Sequence, residues 1–211
     1  MSADARGRFI SLEGGEGVGK STQVRSLAAA LRARGLEVVE TREPGGSAGA
    51  EAIRSLLLEG GADRWGPRAE ALLFAAARAD HVDKTIRPAL EAGKWVICDR
   101  FLDSSIAYQG GADGLGADAI KTLHAVGSDN LLPDRTLLLT LPEEIAMARE
   151  VARDAGRPDR FGARDPNYHR RVTSTFRALA ESEPARWRVI EAKGSTEEVT
   201  QTLLAAIGDL L

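Results

Sequence analysis

Five short runs of apolar residues, rich in β-branched types, punctuate the chain: Phe9–Glu13 (FISLE), Leu36–Glu40 (LEVVE), Trp95–Asp99 (WVICD), Thr136–Leu141 (TLLLTL) and Trp187–Glu191 (WRVIE). Between them apolar positions recur at helical spacing. Val24, Leu27, Ala28 and Leu31 fall on one stripe, and Gly35 is placed to end it. Strands alternating with helices predict crossover connections and a mostly parallel sheet of about five strands with helices on both faces, a three-layer α/β/α arrangement. Pro67–Gly93 predicts long helical material that Pro88 must kink or break. Within it Phe74 and Arg78 are four apart and share a face. Ser195 stands three residues before Glu198, a capping box that opens a stripe through Val199, Leu203 and Ile207. Ala152–Asn167 (ARDAGRPDRFGARDPN) breaks the pattern: it is too polar to bury and too long for a simple turn, and it predicts a mobile lid.

Composition narrows the class. A chain of 211 residues suits one domain spanning 1–211. With 28% charged residues and a net charge of −3 there is no basic excess to bind nucleic acid, so the expected partners are small molecules. The single cysteine, Cys98, can form no internal disulfide and reads as a small core residue. No charged-then-apolar leader, membrane-length apolar run or repeat is visible, which makes the cytoplasm the expected compartment.

The chemistry begins at Gly14–Thr22, GGEGVGKST, which fits G-x-x-x-x-G-K-[ST] from Gly14 to Ser21 and lies between a predicted strand and helix. Gly14, Gly15, Gly17 and Gly19 let the backbone curl so that its amides, including those of Glu16, Val18 and Thr22, can face phosphates at a helix N-terminus. Lys20 brings a point charge to the β/γ-phosphates and the Ser21 hydroxyl suits Mg²⁺. ATP and Mg²⁺ are the expected cofactors.

Phosphoryl transfer needs in-line positioning and positive charge around the moving group. Arg42 and Arg100 each follow a predicted strand at its carboxyl end, where open parallel sheets bind ligands. Arg149, Arg153, Arg157, Arg160 and Arg164 are the further candidates in and beside the lid, of which at least one is expected to close over the phosphates. Asp99 either holds the Mg²⁺ shell through water or pairs with Arg100 or a helix end. Glu16 repels a donor phosphate unless it faces the second substrate.

Four motifs, LEGGEGVGKST, TREPGG, LLFAAAR and DRFLDSSIAYQGG, stand in the order and spacing of the thymidylate kinases, and the chain resembles that family onward through LLPDRTLLLTLPEE and the DRF of the lid. The resemblance implies a P-loop kinase fold, transfer of the γ-phosphoryl group of ATP to dTMP to give dTDP and ADP in dTTP biosynthesis, and a homodimer formed through helices. It matches Glu16 to a residue near the acceptor's sugar hydroxyl and phosphate, Phe74 to the ring stacked on thymine and Arg78 to a base hydrogen bond. Ser104, Ser105, Tyr108 and Gln109 match the segment lining the nucleoside pocket, with Tyr108 crowding the 2′ position. Because Gly17 follows Glu16 where some members carry arginine, the transferring phosphoryl is expected to be stabilised from the lid, by Arg160 first and Arg157 second. Two residues depart from the family pattern: Gly162 after DRF, where an acid is usual, and Thr140, where the fourth strand usually ends in aspartate. A kinase for another nucleoside or nucleotide, and a nucleotide-dependent switch, are the competing classes; the absence of an N-K-x-D stretch speaks against the second.

Overall fold

A computed structural model describes residues 6–61, 63–154 and 160–211. Strands β1 (Phe9–Glu13), β2 (Val38–Arg42), β3 (Trp95–Asp99), β4 (Arg135–Thr140) and β5 (Trp187–Glu191) form one parallel sheet in the order β2-β3-β1-β4-β5. Helices α1 (Lys20–Arg32), α2 (Ala48–Leu58), α3 (Pro67–His81), α4 (Arg87–Glu91), α5 (Leu102–Ser105), α6 (Ala117–Ser128), α7 (Glu143–Asp154), α8 (Pro166–Ser182) and α9 (Thr196–Ala206) connect and cover it. The central strand β1 is buried along its whole length, whereas the edge strand β2 is not, as a sheet covered on both faces requires.

Successive residues of a strand point to opposite faces, and the core divides accordingly. Phe9, Val96, Cys98 and Leu138 join Phe101, Tyr108 and Phe176 on one face; Ile10, Leu12, Ile97 and Leu137 join Leu27, Leu31 and Leu203 on the other. The stripe Val24, Leu27, Ala28, Leu31 is the buried side of α1, and the chain leaves that helix through Gly35 at φ +85°. Ser195 and Glu198 make the reciprocal capping box of α9.

Strand β4 is shifted by one residue from the expectation, and three further features differ. Strand β2 runs from Val38 to Arg42 because its ladder pairs Val38 with Trp95 and Arg42 with Asp99, which draws the first two residues of TREPGG into the sheet. Pro88 does not break its helix: lacking an N–H, it is accommodated by a wider π turn over Val82–Ile86, after which α4 continues. Both ends of the predicted lid, 152–167, are helical, since α7 reaches Asp154 and α8 starts at Pro166, capped by Asp165. Nor is the lid uniformly polar in its surroundings, because Arg160 and Phe161 are both buried.

Candidate functional site

The carboxyl ends of β1, β2 and β3 open into a cleft of about 720 Å³. Gly14, Gly17 and Gly19 carry the loop from β1 into α1 at φ values of +136°, +69° and +95°, which side chains disfavour. At Gly17 a Cβ would lie 2.1 Å from the backbone oxygen of Ala146 on α7, so the loop and that helix meet without room for a side chain. Lys20 Nζ donates to the backbone oxygens of Gly15 at 2.6 Å and Gly14 at 3.2 Å. Burial and the charge of Arg100 lower its pKa to about 8. Ser21 Oγ donates to Asp99 Oδ2 at 2.5 Å, which brings the two expected Mg²⁺-side oxygens together. Among the described residues no three His, Cys, Asp or Glu side chains gather into a metal cage.

Arg100, immediately after β3, is left-handed with φ +67°. Its guanidinium spans the cleft floor. Nη1 donates to the Gly14 oxygen at 2.9 Å and to Ser104 Oγ at 3.1 Å, and Nη2 to Glu16 Oε1 at 2.6 Å and Tyr108 OH at 3.2 Å. The Tyr108 hydroxyl, whose pKa burial raises, donates to the same Glu16 oxygen at 3.2 Å. The acid inside the phosphate loop is thereby turned away from the glycine amides towards a cation and a phenol, which removes the repulsion its position implied.

The far wall is made by side chains. Half-buried Phe74 and buried Arg78 border the cleft from α3. Arg78 Nε donates to Glu43 Oε2 at 2.7 Å, and Nη2 to Ser105 Oγ at 2.7 Å and the Phe101 oxygen at 3.3 Å. Glu43 is also 3.1 Å from His81 Nδ1, whose Nε2 lies 2.6 Å from Thr41 Oγ1. Burial alone would raise Glu43; the Arg78 charge and His81 outweigh it and hold the carboxyl below its ordinary range. Gln109 is buried and donates to Glu70 Oε1 at 2.9 Å. Exposed Arg42 lines the cleft while donating to Glu51 at 3.1 and 3.2 Å. Phe161 closes the wall, edge-on to Phe74 at 5.7 Å and to Tyr108 at 6.1 Å.

The first-choice lid arginine sits against α3. Arg160 does not line the cleft: its guanidinium is buried and paired with Glu70, which Arg164 approaches at 3.6 Å. The reason is electrostatic, since a fully buried carboxylate demands a counter-charge and the lid supplies it. Arg164 is a further 3.7 Å from Asp113. Among the described residues, the lid-side arginine that borders the cleft is Arg149 on α7. Arg157 lies outside the described residues, and nothing is described of the Arg153 side chain. Thr140 Oγ1, at the family's aspartate position, donates to the Ile190 oxygen at 3.3 Å and so serves the sheet.

A thymidylate kinase family model matches residues 12–203. The chain belongs to the thymidylate kinase family. It is 69% identical over 205 residues to the thymidylate kinase of Rhizorhabdus wittichii strain RW1, covering 97% of this chain and 99% of that one. The thymidylate kinase of Bradyrhizobium sp. strain BTAi1 is 46% identical over 207 residues, 98% of this chain and 92% of that one. The crystal structure of Ehrlichia chaffeensis thymidylate kinase superposes with a TM-score of 0.78 at 31% identity, over 96% of this chain and 99% of that one.

Measured against the other family motifs, several residues around the site escaped the sequence reading. Glu13, Glu43 and Glu70 are buried acids that hold cleft residues in place. Glu70 was recoverable, being four residues before Phe74 and eight before Arg78 on the same helical face. The cleft also extends along the β5–α9 connection, through Ala192, Gly194, Ser195, Thr196 and Val199. Ser195, read only as a helix cap, is one of its walls.

Proposed function

We propose that this chain is a thymidylate kinase in which ATP occupies the glycine-loop end of the cleft and dTMP the end walled by Phe74, Arg78, Ser105, Tyr108 and Gln109. Lys20 and the loop amides hold the donor phosphates, while Arg42 and Arg100 carry the positive charge needed where two polyanions meet end to end. Phe74 offers the base a flat apolar platform, and Arg78, already anchored to Glu43, presents its remaining donors to a base carbonyl. The hydroxyl of Ser21 and the carboxylate of Asp99 are hard oxygen donors that fit Mg²⁺, which is held by few protein ligands and keeps waters and phosphates for the rest. Bound there, Mg²⁺ would neutralise charge on the β/γ-phosphate oxygens. The ring of Tyr108 leaves a ribose 2′-hydroxyl without a partner, which favours deoxynucleotides.

The observation that carries this reading is Arg100, whose one guanidinium bonds both the phosphate loop, at Gly14, and the acceptor wall, at Glu16 and Tyr108. Arg149 supplies lid-side charge in place of Arg160. Exposed Leu72 on α3 and Val126 on α6, helices that pack together, support a homodimer through helices. A buried lone thiol and the lack, among the described residues, of any helix long and apolar enough to cross a membrane are compatible with the cytoplasm. Initial rates with dTMP, dUMP, dCMP and thymidine test the acceptor: kcat/KM is expected to be highest for dTMP, and an equal or higher value for another acceptor overturns the choice.

A further inference from the structure

Arg100 is the one residue lining the cleft that combines a side chain with a left-handed backbone; the other non-glycine residues with positive φ among those described are Asp129 and Asn130, away from the cleft. Such a conformation persists in an arginine only when its surroundings over-determine it. The peptide plane that follows is held from both ends. Cys98 Sγ donates to the Arg100 oxygen at 2.9 Å, and the Phe101 N–H donates to Glu13 Oε1 at 2.8 Å. The other Glu13 oxygen accepts from Ser104 Oγ at 2.6 Å, and Ser104 Oγ in turn accepts from Arg100 Nη1. Glu13 therefore grips the turn twice, once at the backbone and once through the hydroxyl that steadies the guanidinium.

We propose that Glu13 and Cys98 are positioning residues that lock the Arg100 turn and so aim its guanidinium across the cleft at the acceptor's phosphate. Neither borders the cleft and both are fully buried, so they act only through Arg100 and its neighbours. Burial raises the Cys98 thiol well above its ordinary value, which keeps its proton available for the Arg100 oxygen. The inference rests on the reading of the Glu16–Tyr108 side as the acceptor's end.

The test is a set of kinetic comparisons, with dTMP and ATP varied in turn and folding checked by thermal melting. Glu13→Leu removes both grips and is expected to lower kcat/KM for dTMP by roughly 10- to 100-fold while the KM for ATP stays within about twofold. Glu13→Gln keeps an acceptor for the Phe101 N–H and is expected to recover to within about fivefold of the parent. In an Arg100→Met background, Glu13→Leu should cost less than about threefold more, because the group it positions is already gone. Additive losses, parallel rises in both KM values or unchanged dTMP kinetics in Glu13→Leu overturn the clamp. Should Glu13→Leu fail to fold, Cys98→Val, which removes the donor, is compared with Cys98→Ser, which keeps one; equal dTMP kinetics in that pair overturn it as well. An Arg100→Met single variant with unchanged dTMP kinetics would instead remove the acceptor-end reading on which the clamp depends.

Discussion

The two ends of the cleft are built from different materials. In the proposed reading the donor end is built mainly from one contiguous stretch, Gly14–Thr22, whose working groups are backbone amides, Lys20 and Ser21, with Asp99 beside it from β3. The acceptor end draws side chains from α3, the β2–α2 connection, the turn after β3 and the lid, and it hangs them on the buried acids Glu13, Glu43 and Glu70. A phosphate is recognised by charge and by any well-turned loop, so a local motif suffices. A particular base and sugar need donors and walls fixed in three dimensions, and fixing them takes long-range contacts in a low-dielectric interior, where a missing partner is expensive. The first construction separates catalysis from stability; the second merges acceptor recognition with the core.

The largest effect should come from the donor end and touch catalysis alone. Lys20→Ala is expected to lower turnover on the order of 10³-fold while shifting the urea midpoint little. Because burial and Arg100 lower Lys20 to about 8 in the free protein, while donor phosphates favour its charged form, ATP binding should take up a proton above about pH 8 and almost none near pH 7. Calorimetry in buffers of differing ionisation enthalpy reads this directly, and uptake that persists in Lys20→Met would assign the proton to another group.

At the acceptor end the same kind of change should destabilise the fold as well as weaken binding. Arg78→Leu leaves the Glu43 carboxylate with His81 alone and is expected to cost about 3 kcal/mol by chemical denaturation, besides raising the KM for dTMP. A variant as stable as the parent would collapse the contrast between the two ends. The lid arginines sharpen it further: Arg149→Ala should lower turnover roughly tenfold at unchanged stability, whereas Arg160→Ala should chiefly lower the melting temperature by leaving buried Glu70 with only the more distant Arg164 as counter-charge. The opposite pattern would return the catalytic role to Arg160. The smallest effect belongs to Ser195→Ala, which removes the α9 cap for about 1 kcal/mol of stability.

What could be read from the sequence follows the same division. The five strands, the α1 stripe and the α9 capping box are written in local periodicity and local hydrogen bonding, and the structure has each of them within one or two residues. The glycine loop is equally local. The identity of a buried ion pair is not: nothing near Arg160 in the chain announces Glu70, which is 90 residues away, so a polar loop and a buried arginine look alike until the fold brings the carboxylate up. The same holds for Glu13 and Ser104, separated by 91 residues and joined at 2.6 Å. Pro88 was visible, but the wider π turn over Val82–Ile86 that accommodates it was not.

The contact at Gly17 constrains how this site could have been arranged otherwise. With the Ala146 carbonyl occupying the space a Cβ would need, an arginine there requires that backbone to shift. Transferring the cationic duty into the loop requires α7 to retreat first, and α7 is the helix that carries Arg149. In the proposed reading, delivery of that charge from the loop and from α7 are therefore alternatives of backbone geometry, set apart by a carbonyl oxygen.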